Sequence, residues 1–207
     1  MKTLLVSIYD PTAIQRAHET VRAGGLVVFP TDTLYGLGCD PRSPEALQKI
    51  YAAKGRSATK AIPVLISRFE QLADVTSALP DPARRLMEAF WPGPLTLVLP
   101  KKTNLPPDLT PYPGLAVRMP NHPTALALLD KTGPLAVTSA NLSDHENPRD
   151  AFGVLAQLDG LVDLVLDGGE LTGGQASTII DCLEEEPKLL RAGPIPFSDI
   201  LERWYPS

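Results

Sequence analysis

Five cationic side chains stand in apolar or glycine-rich surroundings: Lys54, Arg56, Lys60, Arg118 and Arg191. Lys54 comes seven residues after Leu47, so on a helix it extends the apolar face rather than the solvent-facing one. Positively charged side chains that point along buried surface indicate a site for an anion such as phosphate or carboxylate. Two ordinary alternatives remain open, because cations also stabilise the C-terminus of a helix and a buried arginine can pair with a buried carboxylate.

Small polar side chains follow two of the apolar runs. Residues 31–33, Thr-Asp-Thr, come shortly after the run 26–29, and residues 139–141, Ser-Ala-Asn, come directly after the run 135–138. Ligand sites in open α/β sheets form where strands end, and these side chains supply hydroxyl, carboxylate and amide groups. Each segment is equally well explained as a turn in which Thr, Asp, Ser or Asn serves the backbone geometry.

Common catalytic signatures are absent from the sequence. It contains no phosphate-binding Gly-x-x-x-x-Gly-Lys-Ser/Thr loop, no Gly-x-Gly-x-x-Gly, no Gly-x-Ser-x-Gly and no His-Glu-x-x-His. The three histidines, His18, His122 and His145, lie in unrelated local contexts, which predicts neither a metal site nor a Ser–His–Asp triad. Cys39 and Cys182 form no spacing motif, and we expect both to be reduced thiols.

The composition is that of a globular chain. Of the 207 residues, 43% are hydrophobic and 21% are charged, which excludes disordered classes, and no apolar run approaches the ~20 residues of a membrane span. The apolar run at the N-terminus is too short for a signal peptide, so we expect a cytoplasmic location and no membrane partner. The net charge of −5 argues against nucleic-acid binding as the main role, since such domains are commonly basic.

Apolar runs alternate with helical patterns along most of the chain. We predict a first helix that begins at Pro11 and stops before Gly24. Further helices are predicted from Ser43-Pro44 and over 81–90, 123–131, 150–158 and 198–204. Strands are predicted over 26–29, 62–66, 95–99, 115–119, 135–138, 162–166, 178–181 and 188–190. This alternation predicts one α/β domain over 1–207, and the late strands without helices between them predict some antiparallel pairs.

Taken together, the segments resemble the YrdC family of threonylcarbamoyl-adenylate synthases over nearly the whole chain, in its short form. The matching segments are Pro30–Leu37, Lys54-x-Arg56, Trp91–Thr96, Ala116–Pro120, Ser139–Asn141, Ser177–Ile179 and Leu190-Arg191-x-Gly193. The resemblance implies a YrdC/RibB-like fold, which is a twisted, mixed, mostly parallel sheet with flanking helices and a concave basic cavity.

The resemblance also implies a reaction. L-Threonine, bicarbonate (or carbon dioxide) and ATP would give threonylcarbamoyl-AMP and pyrophosphate, with Mg²⁺ accompanying the nucleotide. A downstream tRNA threonylcarbamoyl transferase would then modify the adenosine next to the anticodon. Such a displacement at phosphorus depends mainly on positioning and on neutralisation of charge, which suits a site rich in lysine and arginine.

The matched positions imply roles for individual residues. The catalytic set is Lys54, Arg56, Ser139 and Asn141. The residues that would hold threonine are Thr33, Arg118, Val137 and Ser177, with Arg118 on the carboxylate. The residues that would hold ATP are Lys54, Arg56, Lys60, Leu115 (through its backbone), Ser139, Asn141, Asn147 and Arg191.

Two other functions remain open. One is an RNA-binding module that uses the basic concavity to bind double-stranded RNA or tRNA without catalysis. The other is a catalytically divergent YrdC-like paralogue, which Ser57 leaves open because this position usually carries proline in the family. The intact Lys54-x-Arg56 and Ser139-x-Asn141 pairs favour the synthase.

Overall fold

The computed structural model describes residues 2–57 and 60–205. The strands in this part are β1 (Leu4–Ser7), β2 (Val27–Phe29), β3 (Gly36–Cys39), β4 (Val64–Leu65), β5 (Leu95–Pro100), β6 (Gly114–Arg118), β7 (Leu135–Ser139), β8 (Leu164–Asp167), β9 (Thr178–Asp181) and β10 (Lys188–Arg191). The α-helices are α1 (Ala13–Arg22), α2 (Pro44–Lys54), α3 (Leu72–Val75), α4 (Asp81–Phe90), α5 (Pro123–Thr132), α6 (Ala151–Leu158) and α7 (Phe197–Trp204), and a 3₁₀ turn (Phe69–Gln71) precedes α3. None of the helices in the described ranges is long and apolar enough to cross a membrane.

These strands form one mixed sheet in the order β1-β8-β2-β3-β7-β4-β6-β5-β9-β10. The predicted α/β class and the mixed sheet are confirmed. Within the described residues the parallel pairs are β1–β8, β2–β8, β4–β6 and β5–β9, and the other five neighbouring pairs are antiparallel, so parallel pairing does not predominate as expected. Short connections explain several antiparallel pairs, because they leave no room for a crossover. That residues 1–207 form one domain stays a prediction.

Local capping explains where several helices begin. The hydroxyl of Ser43 accepts a hydrogen bond from the backbone N–H of Ala46 at 3.1 Å, and Pro44 occupies the first turn of α2. The first helix starts at Ala13 instead of Pro11. The carboxylate of Asp10 accepts a hydrogen bond from the N–H of Thr12 at 2.7 Å, so it closes a turn before the helix rather than capping it.

β3 is a strand that the sequence did not predict, since glycine is depleted in strands. Its two glycines allow close packing against a neighbour. A Cβ added at Gly36 would lie 2.7 Å from Val137 Cγ1, and one at Gly38 would lie 3.1 Å from Phe29 Cε1. β3 pairs with β7 so that Gly36 stands opposite Ser139. It thereby brings two of the candidate segments together at the centre of the sheet.

Helices cover both faces of the sheet. On one face α2 and α4 bury residues such as Leu47, Ile50 and Leu86 in the larger core, and on the other face α1 and α5 bury Ala17 and Leu128 against β2. The central strands β2, β3 and β4 are therefore buried along their length, whereas the edge strands β1 and β10 are mostly exposed. Polar groups reach solvent where the central strands end and loops begin.

Candidate active site

A cavity of about 330 Å³ opens where β2, β6 and β7 end. Its wall draws on segments that are far apart in sequence, and six serine and threonine side chains are among the described lining residues: Thr31, Thr33, Thr96, Thr138, Ser139 and Ser177. The described lining residues are Thr31, Thr33, Leu34, Tyr35, Gly36, Arg56, Ala61, Pro63, Leu65, Thr96, Arg118, Val137, Thr138, Ser139, Asn147, Ala176, Ser177, Ile179 and Arg191. Its position fits the rule that ligands bind at strand ends of α/β sheets.

Three guanidinium groups, those of Arg56, Arg118 and Arg191, line this cavity, and the lining includes no aspartate or glutamate among the described residues. Burial lowers the pKa of all three groups, and the nearby Arg118 further lowers the pKa of Arg191. Arginine nevertheless stays charged, because its ordinary pKa lies above about 12. The cavity is therefore electropositive and suited to anions.

Arg118 is held by three acceptors at the end of β6. Its Nε donates to the carbonyl of Gly93 at 2.9 Å, its Nη1 to Thr33 Oγ1 at 2.8 Å, and its Nη2 to Asp32 Oδ1 at 2.5 Å. The two interpretations of a buried arginine, an anion site and an ion pair with a carboxylate, both apply to Arg118, because it lines the cavity and also pairs with Asp32. Asp32 was not predicted as a site residue, although it lies inside the matched segment.

Ser177 connects the cavity wall to Arg191. The hydroxyls of Ser177 and Thr96 lie 2.7 Å apart, and Arg191 donates from Nη2 to Ser177 Oγ at 3.0 Å and from Nε to its carbonyl at 2.9 Å. A Cβ at Gly193 would lie 2.2 Å from the backbone nitrogen of Thr178, so only glycine lets the chain pass here. Thr33, Arg118, Val137 and Ser177, the four residues predicted to hold threonine, all line the cavity.

Lys54 lies behind the wall rather than in it. Its side chain is 3% exposed, and its Nζ donates to the carbonyls of Ser139 and Asn141 and, at 3.2 Å, to Asn141 Oδ1. Burial, and secondarily the charge of Arg56, lowers the pKa of Lys54 to about 8. Through these hydrogen bonds its ammonium group holds the segment that follows β7 in position.

Asn141 serves the same segment. Its Oδ1 accepts from Ser139 Oγ at 2.6 Å, and its Nδ2 donates to the carbonyl of His145 at 2.6 Å, so its amide is engaged within the protein. Ser139 lines the cavity beside it. The exposed Asn147, further along this segment, also lines the cavity.

The predicted ATP-binding residues thus fall into two groups. Arg56, Ser139, Asn147 and Arg191 line the cavity, whereas Lys54, Lys60, Leu115 and Asn141 are not among its lining residues. Arg56 donates from Nη1 to Thr138 Oγ1 at 2.8 Å and from Nη2 to the carbonyl of Ala61 at 2.9 Å, and its buried Nε has no partner among the described atoms. Lys60 is exposed and Leu115 is fully buried in β6.

Several cavity residues were missed by sequence reasoning. Thr31, Thr96 and Thr138 contribute hydroxyls to the lining, and Thr96 and Thr138 lie in or next to strands that were predicted. Thr31 and Thr96 lie inside segments that carry the family resemblance, which is the signal that could have found them. Strand alternation places Thr138 on the opposite face from its neighbours Val137 and Ser139, so it gives no signal for that residue. Tyr35 also lines the cavity, and its hydroxyl donates to the carbonyl of Gly169 at 2.7 Å.

The fold and the site together define an anion-binding α/β domain, with a mixed sheet covered on both faces and three guanidinium groups in one central cavity. A family model of the Sua5/YciO/YrdC domain, described as "Telomere recombination", matches residues 19–193. The chain belongs to this family, and the resemblance to YrdC proteins drawn from the sequence is confirmed.

Individual relatives agree with this membership. The chain is 43% identical over 193 residues to "Threonylcarbamoyl-AMP synthase" of Bacillus subtilis and 42% identical over 189 residues to that of Pyrococcus abyssi, matches that cover 92% and 90% of this chain. It covers 56% of each of these two relatives, so it spans a little over half of their length. The crystal structure of P. abyssi Sua5 complexed with L-threonine superposes with a TM-score of 0.92 and 38% identity, over 100% of this chain and 61% of that one.

Proposed function

We propose that this chain is a threonylcarbamoyl-AMP synthase that consumes L-threonine, bicarbonate or carbon dioxide, and ATP, and that releases pyrophosphate. The observation that carries the proposal is the grouping of Arg56, Arg118 and Arg191 around one cavity whose described lining holds no carboxylate. Both nucleotide phosphates and an amino-acid carboxylate need such positive charge. The similar proteins of B. subtilis and P. abyssi bear the name of this activity, and P. abyssi Sua5 was crystallised with L-threonine.

In this proposal, threonine occupies the part of the cavity around Arg118. A guanidinium has five N–H donors, three of those of Arg118 have protein acceptors, and the remaining two match the two oxygens of a carboxylate. The Ser177 hydroxyl lies on the same wall and can bond to a polar group of the substrate. Val137, 6% exposed, offers apolar surface to the substrate methyl group.

ATP occupies the part around Arg56 and Arg191. Arg56 still has unpaired N–H groups, including its buried Nε, so it can donate to phosphate oxygens. Ser139 and Asn147 add neutral polar groups from the segment after β7. Lys54 acts on the nucleotide through this segment, because it holds the backbone of Ser139 in place.

The proposed reaction has two bond-forming steps. The threonine amine forms a C–N bond to carbon dioxide and loses a proton, which gives a carbamate. A carbamate oxygen then attacks the α-phosphorus of ATP, an O–P bond forms, and the bond to the departing pyrophosphate breaks. Fixed guanidinium groups stabilise the charge that develops on the phosphate oxygens, and holding both substrates in one cavity supplies the positioning.

Mg²⁺ belongs to this proposal as part of the nucleotide substrate. It prefers oxygen ligands such as carboxylates, phosphates and water. No aspartate or glutamate is among the described lining residues, and no group of three or more His, Cys, Asp or Glu side chains in the described ranges could hold a metal ion. The described residues of this cavity therefore do not fit a resident Mg²⁺, and the phosphates of ATP would carry the ion.

The product would be passed to a tRNA threonylcarbamoyl transferase, and we place the reaction in the cytoplasm because ATP and tRNA are found there. Direct binding of double-stranded RNA or tRNA by this chain stays a prediction.

Pyrophosphate release tests the proposal. The full chain is assayed with ATP, L-threonine and bicarbonate, each omitted in turn, and threonylcarbamoyl-AMP is detected by mass spectrometry. We expect release only when all three are present, and none with α,β-methylene-ATP, whose α–β bridge cannot break. Release that continues without threonine would contradict the assigned reaction.

A further inference from the structure

The ion pair between Asp32 and Arg118 lies just behind the cavity wall. The side chain of Asp32 is 15% exposed and that of Arg118 is 7% exposed, so both charges are largely shielded from water. Asp32 is not among the lining residues, whereas its partner is. A buried ion pair contributes little net stability, because removing two charges from water offsets their attraction. A contribution to stability therefore does not explain why this ion pair lies beside a binding cavity.

The acceptors around Arg118 come from two segments of the chain. Thr33 Oγ1 and Asp32 Oδ1 belong to the loop after β2, and the carbonyl of Gly93 belongs to the turn before β5. Each holds a different nitrogen of the guanidinium. This three-point support fixes the plane of the group and leaves one N–H on Nη1 and one on Nη2 for a ligand.

Of the three supports, the contact with Asp32 has the greatest effect on that plane. It is the shortest of the three, at 2.5 Å, and it holds a terminal nitrogen that would itself touch the ligand. Without it, Nη2 would have two unpaired N–H groups, and the ligand could be bound in more than one orientation.

We propose that Asp32 is a positioning residue, which holds the guanidinium of Arg118 in the plane that receives the carboxylate of the amino-acid substrate. This inference rests on the proposed function, since it assumes that an amino acid such as threonine binds at Arg118. Asp32 itself does not touch the substrate.

A rival account gives the opposite sign. If Asp32 merely competed with the substrate for Arg118, its removal would free a cation and tighten binding of threonine. If it positions Arg118, its removal weakens binding, while an uncharged side chain that still accepts the hydrogen bond preserves it. The Asp32→Asn variant keeps the acceptor and removes the charge, and Asp32→Glu keeps the charge and displaces the acceptor by a methylene group.

The experiment measures threonine binding by calorimetry, and KM for threonine and for ATP, in the wild type and in Asp32→Asn, Asp32→Glu and Asp32→Ala. We expect Asp32→Asn to stay within threefold of the wild type in threonine affinity. Asp32→Ala and Asp32→Glu should bind threonine about tenfold or more weakly, the loss expected for a misplaced charged hydrogen bond. KM for ATP should change less than threefold in all variants.

The outcomes separate cleanly. Tighter threonine binding by both Asp32→Asn and Asp32→Ala, or affinities within threefold of wild type for every variant, would overturn the positioning role. If Asp32→Ala fails to fold, Asp32→Glu and Asp32→Asn decide, and a weak Asp32→Asn beside a normal Asp32→Glu would also overturn it. A wild type that binds no threonine would overturn the proposed function and this inference with it, whereas normal wild-type binding with unaffected variants refutes the inference alone.

Discussion

At the residue scale, the shape of the Arg118 guanidinium matters as much as its charge. Lysine at this position would keep the positive charge and lose the planar fork that meets a carboxylate with two parallel hydrogen bonds. If threonine binds at Arg118 as proposed, Arg118→Lys should raise KM for threonine about tenfold to a hundredfold, the effect of about 1.5–3 kcal/mol for a charged hydrogen bond. Steady-state kinetics at saturating ATP would measure it.

A surface arginine provides the matched control for this substitution. Arg68 pairs with Asp130, its side chain is 50% exposed, and it is not among the described residues that line the cavity. Arg68→Lys should leave both KM values unchanged. An Arg118→Lys enzyme with the threonine KM of the wild type would show that the carboxylate binds elsewhere.

Lys54 predicts a dependence of stability on pH. Burial lowers its pKa in the folded protein to about 8, below the ordinary value of 10.5, so between these two pH values the unfolded chain binds more protons. The contribution of Lys54 to the free energy of unfolding should therefore rise as pH increases from about 8 towards 10.5. Chemical denaturation at several pH values would measure this rise.

A comparison with Lys54→Met isolates the contribution of that lysine, because the other titrating groups are shared by the two proteins. The free energy of unfolding of the wild type minus that of Lys54→Met should increase with pH across that window. A constant difference would mean that the ammonium group is not destabilised by burial. The variant should also loosen the segment after β7, since the carbonyls of Ser139 and Asn141 lose their donor.

Residue types in the sequence predict the charge of the site better than they predict which side chains face the cavity. Arg118 and Arg191 were predicted from their surroundings and do line it. Lys54, whose binding of ATP stays a prediction, points towards oxygens of a segment 85 or more residues away and is not among the described lining residues. That direction depends on a tertiary partner, which no local pattern contains.

At the element scale, β3 depends on the absence of side chains at its glycines. A Cβ on Gly36 would press on Val137 Cγ1 at 2.7 Å, and Val137 lines the cavity. Gly36→Ala should lower the free energy of unfolding by about 1–3 kcal/mol, typical of overpacking, and weaken threonine binding. Chemical denaturation and calorimetry would measure the two effects.

A double-mutant cycle tests the cause of this loss. In a Val137→Ala background the obstructing methyl group is gone, so Gly36→Ala should reduce stability by less than half as much. Equal losses in both backgrounds would locate the strain elsewhere in the strand.

Elements with local signals were predicted well, and elements without them were not. Ser43-Pro44 marks the start of α2, and the helix 81–90 was predicted with its observed bounds. Both predictions depend on helix caps and apolar spacing, which neighbouring residues in the sequence determine. β3 was missed because its glycines serve contacts with Val137 and Phe29, which come from other strands. β1 was also missed, and its partner β8 lies some 160 residues further along the chain.

At the scale of the whole molecule, the two cysteines report on the integrity of the fold. Cys39 in β3 is fully buried and Cys182, directly after β9, is 1% exposed. Burial raises the pKa of the Cys39 thiol to about 12 and raises that of Cys182 as well. Because the thiolate is the reactive form, iodoacetamide at pH 8 should label the native protein orders of magnitude more slowly than the unfolded protein.

Intact-mass spectrometry over time would measure the labelling, with the denatured chain as the control. If the sheet opens as one unit, both thiols should react at the same slow rate under mild denaturant. Fast labelling of one cysteine in the native protein would instead show that the half of the sheet around it opens locally.

The order of strands also constrains how the chain acquires its structure during synthesis. β1 and β2 share the neighbour β8, with Leu4 and Val27 both in register with Leu164. During synthesis, β1 and β2 cannot pair with β8 until residues 164–167 have been made, whereas β2 and β3 can already pair as a local hairpin. Contacts so distant in sequence form slowly and leave strand edges open meanwhile. In pulsed hydrogen exchange during refolding, the amides of β2 and β3 should gain protection before those of β1 and β8. The edge strand β1, which is synthesised before β2, β3 and β8, would then be among the last to form its hydrogen bonds.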